Sequence, residues 1–285
     1  MQSRIRTTAL PFPTLCRIID HKEEPRRGIL RALTPALEDR FNDFEANVQD
    51  LSRIPTKAYR DDEKEALKHC YDGNTTALAE LLTSIQDAQA PGLRNECPYC
   101  GAAKADTWDH YLPQANFPEY SVHSWNLVPC CWKCNSKKLN VVAKGGKRQI
   151  VNFYFDPVPT TRFLWTTIHW NDGIPRAEYS LRQGEIPGDT WDLILAHFKR
   201  LELLERLQEE AHRFLGYVHT SIRKRCAGRG PNFYAQHLRI EAESWAETFN
   251  VNDYRSTLYD ALSAREHLRR IRDWASAEEC HLAAG

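Results

Sequence analysis

The sequence contains no run of about 18 apolar residues, the length a helix needs to cross a bilayer, so no membrane span is expected. It also lacks a surplus of charge: 38 Lys and Arg are balanced by 38 Asp and Glu. That balance removes the global basic field that draws many proteins to nucleic acid, so such binding must rest on a local patch or on a partner's charge. The N-terminal stretch MQSRIRTTALPFPTLCRIIDHKEE has no uninterrupted apolar segment, and a secretory signal peptide is not expected. Internal repeats and low-complexity tracts are absent too, which leaves an ordinary globular composition of 42% hydrophobic and 27% charged residues. With 285 residues the chain can build about two domains, or one core module with large additions.

Cysteine, by contrast, is plentiful and unevenly spread. Of nine cysteines, Cys97, Cys100, Cys130, Cys131 and Cys134 lie close together, while Cys16, Cys70, Cys226 and Cys280 are scattered. A disulfide framework would space them more evenly and belongs to shorter secreted chains, so the pattern points to a reducing cytoplasm and a metal cluster. Cys97-Pro-Tyr-Cys100 and Cys131-Trp-Lys-Cys134 are paired knuckles, each able to supply half of a tetrahedral Zn²⁺ shell. Cys130 could ligate instead, but Cys131 repeats the spacing of the first pair. The thirty residues between the knuckles exceed the spacing of a plain zinc ribbon, so something sizeable is threaded there.

The flanks read as helical. An apolar stripe at Leu37, Phe41, Phe44, Val48 and Leu51 predicts one helix, and DDEKEALKHCY and TTALAELLTSIQDA predict two more. Residues 1 to about 32 begin with proline-broken, extended-looking sequence, and part of this arm is expected to lie on another surface, a candidate contact for a partner. QIVNFYFDPV has β character, and RFLWTTIHW-NDG-IPRAEYSL predicts a hairpin. From Asp189 a single long amphipathic helix is expected through Ile194, Phe198, Leu201, Leu204, Leu207, Ala211, Phe214 and Val218. Two further helices follow, over 232–249 and 253–275. The fold class is therefore α+β, a mainly helical chain around a small zinc-stapled module with an adjacent β-hairpin. Its expected divisions are 1–95 for the arm and helices, 96–150 for the module, 151–187 for the hairpin region and 188–285 for the C-terminal helices.

Between the knuckles the order CPYCG, DHYLP, FPEYSV and NLVPCCWKCNSKK resembles the HNH, or ββα-metal, endonucleases with a zinc-stapled core. The resemblance covers about Cys97 to Lys138. Its variant is similar to the HNH nuclease subunits of Septu and retron antiphage systems, which work beside an ABC-type ATPase. Gln114 departs from the lysine common after DHYLP, and Asn135 replaces the last His of the family name. The resemblance implies metal-dependent hydrolysis of phosphodiester bonds in DNA. His110 would be the general base, Asp109 and Asn135 would be oxygen ligands of a catalytic Mg²⁺ or Mn²⁺, and Asn126 would fix the loop that orients His110. His123 is expected at the surface or in loop packing, and Glu119 in a turn. Lys133, Lys137, Lys138, Lys144, Lys147 and Arg148 form a run without an acidic residue and are candidate phosphate contacts. The alternative is a non-catalytic zinc module that binds nucleic acid or serves as an adaptor.

Overall fold

The computed structural model describes residues 2–276. The protein is α+β, about 53% helical, with small antiparallel sheets, and it divides into two compact units that meet in sequence near residue 157.

The first unit opens with residues 3–9, which lie along their own unit. The Arg4 amide donates to Phe153 O, and its guanidinium donates to Leu93 O (3.1 Å) and Glu96 O (2.8 Å). The extended start of the arm is short: α1 spans Pro11–Asp20, with proline in its first turn, where the missing N–H costs nothing. Next, α2 (Arg26–Ala46) carries the predicted stripe only through Phe44. It stops before Val48, and Leu51 is buried from a short 3-10 turn instead. In α3 (Asp61–Asp72) three acidic residues favour the positive end of the helix dipole, and α4 (Thr76–Asp87) is capped by the Thr75 hydroxyl, which accepts from the Leu78 amide. These helices bury Ile18, Leu30, Phe41, Phe44, Leu67 and Ile85.

The cysteine-rich module follows. Strand β1 (Thr107–His110) pairs antiparallel with β2 (Leu127–Cys130), placing His110 opposite Leu127 and Thr107 opposite Cys130. Helix α5 (Trp132–Lys138) packs on β1. Two-residue strands β3 (Ala143–Lys144) and β4 (Lys147–Arg148) close over Gly145 and Gly146, both at positive φ. The β character of QIVNFYFDPV is not realised. Asn152 Oδ1 accepts from the Tyr154 amide and Asp156 Oδ2 accepts from the Asn152 amide, and these local bonds turn the backbone away from a ladder.

In the second unit, β5 (Leu164–Asn171) and β6 (Ile174–Leu181) form the predicted hairpin. Asp172 and Gly173 have φ of 49° and 79°, the left-handed pair that matches the strand twist. The single long helix expected from Asp189 is two helices. Here α6 (Gly188–Leu201) ends at Glu202, which takes φ 52°, ψ 47°, and α7 (Leu203–Cys226) restarts beyond it. Leu207, Ala211 and Val218 are buried as expected, while Leu203 and Leu215 are buried in place of their neighbours Leu204 and Phe214. Then come α8 (Pro231–Thr248), α9 (Tyr254–Leu262) capped by Asp253, and α10 (Leu268–Ser276); the last two replace one predicted helix. Cys280 lies outside the described residues. Among those described, no helix is long and apolar enough to cross a membrane.

Candidate functional site

Four cysteines set the frame of the module. Glu96 bridges to Lys104 and the Cys97 amide donates to Ala103 O, so the first knuckle is a tight reversal. Gly101 turns it at φ 61°, a conformation costly for any residue with a Cβ. Cys131 stands immediately before α5, and Cys134 lies in its first turn. The sulfurs of Cys97, Cys100, Cys131 and Cys134 are buried and lie within 4.8 Å of one another. A tetrahedral zinc with Zn–S bonds of ~2.3 Å sets sulfurs roughly 3.8 Å apart. The donor set therefore fits a structural metal such as zinc. Cys130 is not in the cluster: its Sγ lies 3.5 Å from Thr107 Oγ1, and burial pushes its thiol up and keeps it protonated.

The cysteine frame reaches the predicted catalytic residues through Tyr99, which sits inside the first knuckle and is fully buried. Its hydroxyl donates to Asp109 Oδ2 at 2.6 Å; burial, with Asp109 beside it, holds the phenol in its protonated form. Asp109 Oδ1 accepts from the Lys138 ammonium at 3.0 Å. The carboxylate is only 4% exposed, and both its oxygens are engaged.

Strand alternation separates Asp109 from its neighbour. The His110 ring lies edge-on to Tyr71 at 4.6 Å, and its Nε2 is 2.9 Å from Ser121 O. A carbonyl can only accept, so Nε2 carries the proton and Nδ1 holds the lone pair of a neutral ring. Burial pushes the imidazole below its usual range, against the opposing effects of the Ser121 carbonyl and Asp109. A cleft of about 450 Å³ is lined by Trp108, Asp109, His110, Gln114, Trp132 and Asn135, among others. Asn135 faces it from α5, its Nδ2 donating to Trp108 O at 3.2 Å, so its amide oxygen is turned away from that bond.

Asn126 lies outside the cleft wall. Fully buried, it accepts from the Leu112 amide (2.7 Å) and donates to Leu112 O and Tyr120 O (3.1 Å each). It ties the chain leaving β1 to the turn that precedes Ser121, and so positions the His110 anchor without reaching a substrate.

No protein-family model matches this chain. Over 161 residues it is 30% identical to protein ea31 of Escherichia phage lambda. That match takes in 55% of this chain and 54% of the phage protein, so the chain spans about half the length of this curated relative. No solved structure gives a significant match.

Of the predicted site residues, Asp109, His110 and Asn135 line this cleft and the four cysteines form their own cluster, while Asn126 and the basic run do not line it. Lys138, expected as a phosphate contact, is 0% exposed and spends its ammonium on Asp109 and on His110 O. Arg148 is committed to Asp156 and to Gln49 O. Lys133, Lys144 and Lys147 remain exposed, and Lys137 is half-buried. His123, expected at the surface or in loop packing, is wholly buried and stacks on Phe44 at 3.9 Å. Glu119 does occupy a turn, Pro118–Tyr120, and there it accepts twice from Arg40 in a buried pair. Sequence reasoning missed Tyr99 and Tyr71, although Tyr99 lies inside the quoted CPYC. It also missed Trp132, which is 64% exposed at the cleft rim.

Proposed function

We propose that this chain is an HNH endonuclease that hydrolyses phosphodiester bonds in DNA, with zinc held by Cys97, Cys100, Cys131 and Cys134. The observation that carries the reading is the state of His110: a neutral ring, clamped through Nε2 by Ser121 O, keeps a basic nitrogen on a cleft beside the cysteine cluster. Such a ring can take a proton from water attacking the phosphorus, and the Ser121 carbonyl then stabilises the imidazolium that results. Asn126 holds the loop in register for that transfer, while exposed Lys133, Lys144 and Lys147 supply phosphate contacts. Asp109 and Asn135 offer the hard oxygen donors that suit Mg²⁺ or Mn²⁺, which when bound would stabilise charge on the departing oxygen. As arranged, Asp109 does not fit that ion, because Lys138 and Tyr99 hold its two oxygens. By resemblance to Septu and retron nucleases, the reading extends to a cytoplasmic antiphage effector working with an ABC-type ATPase.

The test is nicking of plasmid DNA by the zinc-loaded chain, with the ATPase present where its gene adjoins. His110→Ala is expected to keep zinc, fold and DNA affinity while cleavage falls roughly 10²–10⁴-fold, the usual worth of a positioned base. A His110→Ala protein that cuts like the parent sinks the nuclease reading. The engaged state of Asp109 favours a second reading, a zinc-containing nucleic-acid-binding or adaptor subunit, which predicts no cleavage with or without divalent metal.

A further inference from the structure

The disagreement between Asp109 and a divalent metal has a specific author in the fold. Lys138 closes α5, where a lysine stem ordinarily carries its ammonium out to water. Here the side chain is fully buried, with Nζ 3.0 Å from Asp109 Oδ1 and 2.9 Å from His110 O. Tyr99 takes the other carboxylate oxygen at 2.6 Å. A magnesium-sized ion needs a carboxylate oxygen at ~2.1 Å in a near-octahedral shell. Oδ1 cannot serve that ion and the ammonium together, and two cations on one buried carboxylate repel strongly in a poorly screened site. The backbone beside Lys138 is also unusual. Leu139 takes φ 52°, ψ −138°, a region that side-chain-bearing residues rarely adopt, and its own side chain is 64% exposed. Strain at the residue after a buried cation is what a segment with a second available arrangement would show.

We propose that Lys138 is an internal cation that competes with divalent metal for Asp109, so that metal enters the cleft only as the ammonium withdraws. The purpose of that metal rests on the nuclease reading; the competition itself does not. Lys138 then sets how much free metal the site requires, and any partner or substrate that draws α5 or Leu139 outward loads the site.

The test uses the full zinc-loaded chain and Mn²⁺ alone, with bound and free ion counted by electron paramagnetic resonance. Lys138→Met keeps the stem and removes the charge, and Lys138→Gln does so while keeping a donor; whichever folds with zinc retained is used. The expected result is Mn²⁺ affinity tightened by about tenfold or more over the parent, a larger Mn²⁺-induced rise in melting temperature, and loss of both gains on adding Asp109→Asn. Affinity equal to or weaker than the parent's, including no binding by either protein, overturns the proposal. Cleavage that still depends on His110 would in that case leave the nuclease reading standing; metal exchange without cleavage would leave the competition and remove the nuclease.

Discussion

His123 offers a perturbation whose size follows from its surroundings. The ring is walled by Phe44 at 3.9 Å, Phe41 at 4.7 Å and Trp125 at 5.8 Å, and its Nδ1 accepts from the Trp125 amide at 3.2 Å. Nδ1 is therefore unprotonated and Nε2 carries the hydrogen, which meets no partner. A second proton would sacrifice the Trp125 bond and place a charge among aromatic rings. Burial accordingly pushes this imidazole down to about 3. The unfolded chain would have a value near ~6.5. A base whose folded value lies below its unfolded one contributes stability that is complete above about 6.5 and lost as the pH falls toward 3. At about 1.36 kcal/mol per unit, lowering the pH from 7.5 to 5 should cost about 2 kcal/mol through this residue alone. His123→Asn keeps an acceptor for the Trp125 amide and does not titrate. Its stability should be lower at every pH because of the volume lost, but its decline between pH 7.5 and 5 should be shallower than the parent's by that same amount. Urea unfolding at the two pH values measures both slopes. Parallel slopes would refute the assignment of a partnerless neutral ring.

Two further outcomes test the module. Cys131→Ser should lose the metal in elemental analysis, whereas Cys130→Ser, which lies outside the cluster, should retain about one zinc per chain. Tyr99→Phe removes the donor to Asp109 Oδ2 and leaves part of a buried carboxylate unsatisfied. It should lower unfolding stability by roughly 1.5–3 kcal/mol with zinc content unchanged, and a change below experimental error would mean the knuckle does not hold that carboxylate.

Much of this arrangement was legible in the sequence because it rests on local spacing. Two C-x-x-C pairs bring four sulfurs together, and NDG between two β-rich runs sets the turn of the β5–β6 hairpin. The rest was decided by a partner distant in sequence, by one backbone angle or by local side-chain bonds. Lys138 looks like its exposed neighbours until α5 is laid on β1, 29 residues away, where Asp109 waits. His123 becomes a core residue only because α2 brings Phe41 and Phe44 against it. The break at Glu202 interrupts no apolar pattern, since Leu201 before it and Leu207, Ala211 and Val218 after it are all buried at the expected positions. Asn152 and Asp156 turn a β-rich stretch into local turns through side chains that a hydrophobic periodicity does not count.

The arm at residues 3–9 bears on the order in which the protein assembles. Arg4 is made before its partners: the carbonyls it grips belong to Leu93, 89 residues downstream, and to Glu96, while its amide waits for Phe153. Closing loops of that length costs entropy that only the finished packing returns. The part of this unit that is synthesised first is thus the last to be seated. Glu96 directly precedes Cys97, so seating the arm also fixes the backbone at the entrance to the first cysteine pair.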